Sequence, residues 1–101
     1  MLSFQLLREA ERELELARRW YDEQRHGLGL VFFDAYEDAV RHAREFPDAG
    51  AVVLESTHTV RKFPFEGFPF HIVTSVIDDT LVVVAVAHVK RKPGYWVERV
   101  K

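Results

Sequence analysis

The segment LVVVAVAHVK, Leu81 to Lys90, constrains this chain more than any other stretch. Its apolar part, Leu81 to Val89, is interrupted only by His88. Valine dominates it, and β-branched side chains favour extended backbone over helix. An apolar run that does not alternate with polar residues is expected in a central strand covered on both faces, or nearly so. The run is far shorter than the roughly 20 residues a helix needs to cross a bilayer, so no transmembrane segment is expected. The rest of the chain must therefore supply neighbouring strands and at least one covering layer.

The flanking sequence offers both. Leu2, Phe4 and Leu6 alternate with Ser3 and Gln5, a short strand signal. From about Arg8 the period lengthens. Ala10, Leu14, Ala17 and Tyr21 form one stripe of an amphipathic helix, with Leu7 and Trp20 beside it. Glu15 and Arg19 are spaced for a surface ion pair, and Glu9, Glu11, Glu13 and Glu15 read as a solvated face. Arg25 and His26 are expected in the last turn, before a break at Gly27-Leu28-Gly29. A second helix is predicted from about Leu30 to Glu45. Its stripe is Leu28, Phe32, Ala35, Ala39 and Ala43, widened by Val31, Tyr36, Val40 and Phe46. The two helices make an αα-hairpin.

Ala51 to Thr57 reads as a loop with an extended stretch, Ala51 to Leu54. Thr59 to Phe65 reads as a strand, Glu66-Gly67 as a two-residue hairpin turn, and Phe68 to Ile77 as the next strand. Asp78-Asp79-Thr80 is a turn before the valine-rich strand, and Pro93-Gly94 turns the chain into a tail. The fold class is α+β: an N-terminal strand, then an αα-hairpin packed on one face of a twisted, mainly antiparallel sheet.

With 101 residues, one domain spanning 1–101 is expected. The N-terminus turns acidic at once and lacks signal-peptide architecture, and a cytoplasmic location is expected. No cysteine is present, which excludes disulfides, thiolate metal sites and a cysteine nucleophile. The net charge of −2 is unevenly spread. Residues 1–57 carry 7 basic and 12 acidic side chains, whereas residues 58–101 carry 7 basic and 4 acidic, including all the lysines. A basic, aromatic C-terminal half suggests a positively charged face. His58, His71 and His88 fall in that half, but no HxH, HExxH or acidic partner at ligand spacing accompanies them, so no metal is expected.

Four stretches then carry a resemblance. They are ELARRWYDEQRHGLG (Glu15 to Gly29), FFDAYEDAVRHAREFPDAG (Phe32 to Gly50), VRKFPFEGFPFHIVTSVIDD (Val60 to Asp79) and VVAVAHVKRKPGYWVER (Val83 to Arg99). In this order the chain resembles the RelE/ParE superfamily of toxins from bacterial type II toxin–antitoxin systems, often called plasmid-stabilisation proteins. The resemblance implies a twisted sheet with the helical hairpin on one face, matching the element order above. It implies a cognate antitoxin as partner. It also implies one of two targets. RelE-like members cleave messenger RNA in the ribosomal A site without a metal or other cofactor, using basic and aromatic side chains. ParE-like members inhibit DNA gyrase and are not nucleases. A degenerate member, a non-toxic interaction module, is the third possibility. No membrane partner is implied, and the oligomeric state is left open.

Carried onto this sequence, the RelE pattern places a catalytic arginine at Arg91, after the last strand, and a basic residue at Lys62. Two positions depart from it: Pro64 stands where a basic residue is expected, and His71 where an arginine is. RNA cleavage needs an activated 2′-hydroxyl, a stabilised phosphorane and a protonated leaving oxygen. Arg91 suits charge stabilisation. Lys62, His71 and Tyr95 are candidates for proton transfer. His71 otherwise reads as a half-exposed strand histidine beside Phe70. Tyr95 and Trp96 read either as a stacking platform for a base or as packing for the tail. Arg61, Lys90, Lys92, Trp96 and Arg99 complete the candidate surface for RNA or a protein partner. Strand parity puts Arg61 with Phe63 and Phe65 near the core rim, and Lys62 on the open side. His88 reads as a buried or edge histidine bonding a carbonyl, or as a group orienting Arg91.

Overall fold

A computed structural model describes residues 1–100; Lys101, counted above in the basic half, lies outside the described residues. The elements are β1 (Ser3–Leu6), α1 (Arg8–Gln24), α2 (Leu28–Glu45), β2 (Ala51–Glu55), β3 (Thr59–Pro64), β4 (Phe70–Ile77), β5 (Thr80–His88) and a 3₁₀ turn, Val97–Val100. The sheet order is β1-β5-β4-β3-β2. β1 runs parallel to β5, and every other pair is antiparallel. The valine-rich run is thus an interior strand, buried along nearly its whole length.

Each face of β5 meets a different layer. Leu81, Val83 and Val86 join Phe63, Phe65 and Ile72 against Ala10, Leu14, Phe32, Ala35, Ala39 and Ala43 of the helices. Val82, Val84, Ala85 and Ala87 join Val60 and Val73 on the opposite face, under Trp96, Val97 and Val100. That second face is not left open: the C-terminal tail covers part of it. A bulge makes the arrangement possible. Val73 pairs with Ala85 but Thr74 pairs with Val83, so Val84 is the extra residue, and Val84 and Ala85 both turn toward the tail.

Local boundaries differ from expectation in several places. α1 stops at Gln24, and Arg25 is extended, so neither Arg25 nor His26 sits in its last turn. The chain reverses at once, because Gly27 takes φ +90° and Asp22 Oδ1 accepts from the amides of Gly27 (2.9 Å) and Gly29 (3.2 Å). Leu28 and Gly29 belong to α2 rather than to a break. A Cβ on Gly29 would lie 2.7 Å from the Arg18 carbonyl oxygen, so only glycine lets the helices approach this closely. Trp20, Val31 and Phe46, expected along the stripes, are about half exposed. The Glu15–Arg19 pair forms at 3.2 Å, and Arg18 joins it at 2.6 Å.

The extended stretch expected at Ala51 to Leu54 is an edge strand, and it runs one residue further, to Glu55. The hairpin between β3 and β4 is longer than two residues. The Phe65 amide donates to Phe70 O, which leaves Glu66 to Pro69 as a four-residue loop with Gly67 at φ +85°. β4 therefore starts at Phe70, after Pro69 and not around it. Between β4 and β5, Asp78 and Asp79 both adopt positive φ (50° and 59°) while Ile77 pairs with Thr80, a two-residue type I′ hairpin. Aspartate tolerates the left-handed region better than most residues.

Candidate functional site

Side chains of one strand face alternate, and the register brings the candidates together. Lys62 on β3 pairs with Val73, and His71 on β4 pairs with Pro64, so the two are diagonal neighbours on the tail-covered side. His71 also pairs with Ala87 of β5. After β5 the Arg91 amide donates to His88 O, and the chain turns through Pro93-Gly94. Gly94 has φ +79° and the Tyr95 amide donates to Lys92 O, the arrangement of a type II turn with proline then glycine at its centre. That turn folds Tyr95 and Trp96 back over the sheet.

The result is a small concavity of about 150 Å³, whose lining includes Lys62, His71, Arg91, Lys92, Tyr95 and Trp96. Three separated segments supply these six residues. The concavity lies where the tail meets the sheet face, between the tail residues and Lys62, His71 and Val73. Trp96 lines it as a packed core side chain rather than as a platform: only 5% of its surface is exposed, and it packs in the second core. Arg91 is 56% exposed, and its guanidinium carbon stands 3.9 Å from the Tyr95 ring centroid, a cation–π contact. His71 is half-buried. Burial, and then the neighbouring Lys62 ammonium, push its pKa below the ordinary 6.5, so the imidazole is neutral and able to accept a proton at pH 7.

The Tyr95 hydroxyl is committed elsewhere. It donates to Glu13 Oε2 at 2.6 Å. Burial, reinforced by that hydrogen bond, raises its pKa well above the phenol value of 10.0. Glu13 is also bound by Arg99, with Nη1 donating to Oε1 at 2.9 Å and Nη2 to Oε2 at 3.2 Å. The Val86 amide donates to Oε1 at 3.1 Å, and Arg99 Nη1 donates to Val84 O at 3.1 Å. β1 stops pairing at Leu6–Val83, so the next polar groups along that side of β5 have no strand partner. Glu13 and Arg99 take its place. Both side chains are more than four-fifths buried. Removing one member of such a pair strands a charge at a typical cost of about 3–5 kcal/mol.

The other candidates divide. Lys90 and Lys92 are exposed. Arg61 donates from Nη1 to the carbonyls of Asp48 (3.0 Å) and Gly50 (2.8 Å), tying the loop after α2 to the sheet at the core rim, as parity indicated. Arg99 is bound to Glu13, so it is a tether and not part of an open cationic surface. His88 Nδ1 accepts the Lys90 amide at 3.0 Å instead of bonding a carbonyl, and its ring packs edge-on against Phe70. Among the described residues no group of three or more His, Asp or Glu could hold a metal ion, and no helix is long and apolar enough to cross a membrane.

Glu13 departs from the solvated acidic face that the sequence suggests for it, since its side chain is largely buried. A signal was present. Glu13 lies three residues after Ala10 and four before Ala17, inside the apolar stripe of α1. A carboxylate on that stripe has to be exposed by fraying or matched by buried donors.

No protein-family model matches the chain, and no curated protein does. A chain in a solved structure of the chromosomal ParDE TA (toxin–antitoxin) system from P. aeruginosa does match, with a TM-score of 0.63 and 17% sequence identity. The match covers 87% of this chain and 96% of that one. Element order, mixed sheet and helical hairpin together give this chain the RelE/ParE-like fold that the sequence resemblance implied.

Proposed function

We propose that this chain is the toxin component of a type II toxin–antitoxin system, held inactive by a cognate antitoxin and acting in the cytoplasm. The likeness to a ParDE system supports that role. One observation carries the mechanism: Lys62, His71 and Arg91 line a single concavity together with Tyr95 and Trp96. Two cations beside a neutral imidazole suit cleavage of an RNA phosphodiester without a metal. His71 accepts the proton of the 2′-hydroxyl as that oxygen attacks phosphorus. Arg91 stabilises the charge that develops on the phosphorane. Lys62 protonates the departing 5′-oxygen, leaving a 2′,3′-cyclic phosphate. Tyr95, with its hydroxyl held by Glu13, supports Arg91 and stacks rather than moving a proton. The ribosome-bound messenger is the substrate on this reading.

A second reading has its own support. The matched structure is a ParDE system, and Pro64 removes one basic position from the RelE pattern. On that reading the same face binds DNA gyrase without chemistry. Induced expression without antitoxin separates the two, followed by transcript mapping and a supercoiling assay. Codon-positioned cleavage that falls about 100-fold in Arg91→Ala is the expected result for the nuclease. Blocked supercoiling with intact transcripts overturns it in favour of gyrase inhibition. Soluble, folded protein with no growth defect overturns both and leaves an interaction module.

A further inference from the structure

The Glu13 carboxylate stands apart from everything the sequence assigned to function. It starts on α1, among residues that pack the helical layer, and ends among side chains of the opposite layer. It reaches them around the part of β5 that β1 leaves unpaired. Its contacts form a chain of support. Glu13 fixes the Tyr95 hydroxyl, the Tyr95 ring lies under the Arg91 guanidinium, and Arg91 Nη1 is 3.9 Å from Glu13 Oε2. That last separation is too long for a hydrogen bond but short enough for attraction. Arg99 neutralises most of the carboxylate, so Arg91 is steered without being captured. Arg91 is otherwise a long, half-exposed side chain with many rotamers, which by itself would seldom point at one spot.

We propose that Glu13 is a positioning residue: through Tyr95 it holds Arg91 over the Lys62–His71 concavity, and so couples the helical layer to the effector site. The proposal rests on the reading of that concavity as the site where the toxin acts. It predicts that in folded variants the loss of rate runs through Arg91, apart from any loss of stability where Arg99 loses its partner. In single-turnover cleavage, Glu13→Gln lowers the rate about 10- to 100-fold with KM changed less than about twofold, the size expected when a reacting group is misplaced by about 1 Å. Tyr95→Phe, which removes only the hydroxyl and keeps the ring, reproduces part of that loss and guards against a folding defect in Glu13→Gln. In an Arg91→Ala background Glu13→Gln has no further effect, which a merely structural carboxylate would not show.

A readout independent of activity completes the test. In the ¹H–¹⁵N spectrum the Arg91 side-chain Nε–H is expected upfield in the wild type, shifted by the Tyr95 ring. In folded Glu13→Gln it returns to the position of a free arginine. An Arg91 resonance that does not move overturns the proposal. So does a rate loss that adds in full to that of Arg91→Ala. If the wild type cleaves no RNA, the functional reading fails separately, and the spectrum alone decides whether Glu13 positions Arg91.

Discussion

On one face of the sheet two helices press an almost wholly apolar, ring-rich layer onto the strands. Phe32 touches the rings of Tyr21, Phe65, Phe68 and Phe70 within about 5 Å, and no charge enters the cluster. On the other face the cover is one 3₁₀ turn and one tryptophan, pinned by a buried carboxylate with four donated hydrogen bonds from three residues. The first face is built for burial, which is non-directional and scales with apolar area. The second depends on directional contacts, covers only part of its strands, and leaves Lys62, His71 and Arg91 at the margin. Apolar burial and exposed charge are thus segregated by face, because a cation in the helical layer would have no solvent and no counter-charge.

The comparison breaks most easily at its strongest point. Phe32→Ala should cost about 3–5 kcal/mol, since the residue is fully buried and its neighbours are rings that cannot collapse into the gap. Urea unfolding measures it, and a loss no larger than that of a tail mutation would show that the two faces are energetically alike. Trp96→Ala on the other face should cost less, about 2 kcal/mol, because the tail can detach without unfolding the sheet. Hydrogen exchange sharpens the distinction. Amides of Val97 to Val100 should lose protection in this variant while those of β5 keep theirs.

The smallest effect concerns the charge at the concavity. His71 has a lowered pKa, so below 6.5 the unfolded chain binds more protons than the folded one, and stability falls as pH drops through that window. Lys62→Met removes the secondary cause of the shift and keeps the burial. The His71 ring should then titrate closer to 6.5 in NMR spectra, and the stability lost across that pH window should shrink by a fraction of about 1 kcal/mol. An unmoved titration would mean that Lys62 does not face His71.

Much of the fold was legible because its signals are local. The valine run of β5, the 3–4 spacing of Phe32, Ala35, Ala39 and Ala43, and the Asp78-Asp79 turn each report a backbone period within a few residues. The misreadings share a cause. Arg25 and His26 leave α1 because the tight approach of α2 at Gly29 dictates where the chain reverses, and Glu55 joins the strand expected at Ala51 to Leu54 because β3 offers it Thr59. At the site, parity put Lys62 on the open side of the sheet, yet it could not show that His71 and Arg91 meet it there.

From residue order alone follow the periodicities, the excess of positive charge toward the C-terminus, and the need for cover on both faces of one strand. Those depend on neighbours in the chain, and covalent spacing sets them. Which segment covers the second face, and which carboxylate anchors it, only the folded molecule decides. Glu13 meets Tyr95 across 82 residues and Arg99 across 86. No local pattern encodes such a meeting, because it exists only once the bulge at Val84 and the early end of β1 have left a sheet edge for the carboxylate to fill.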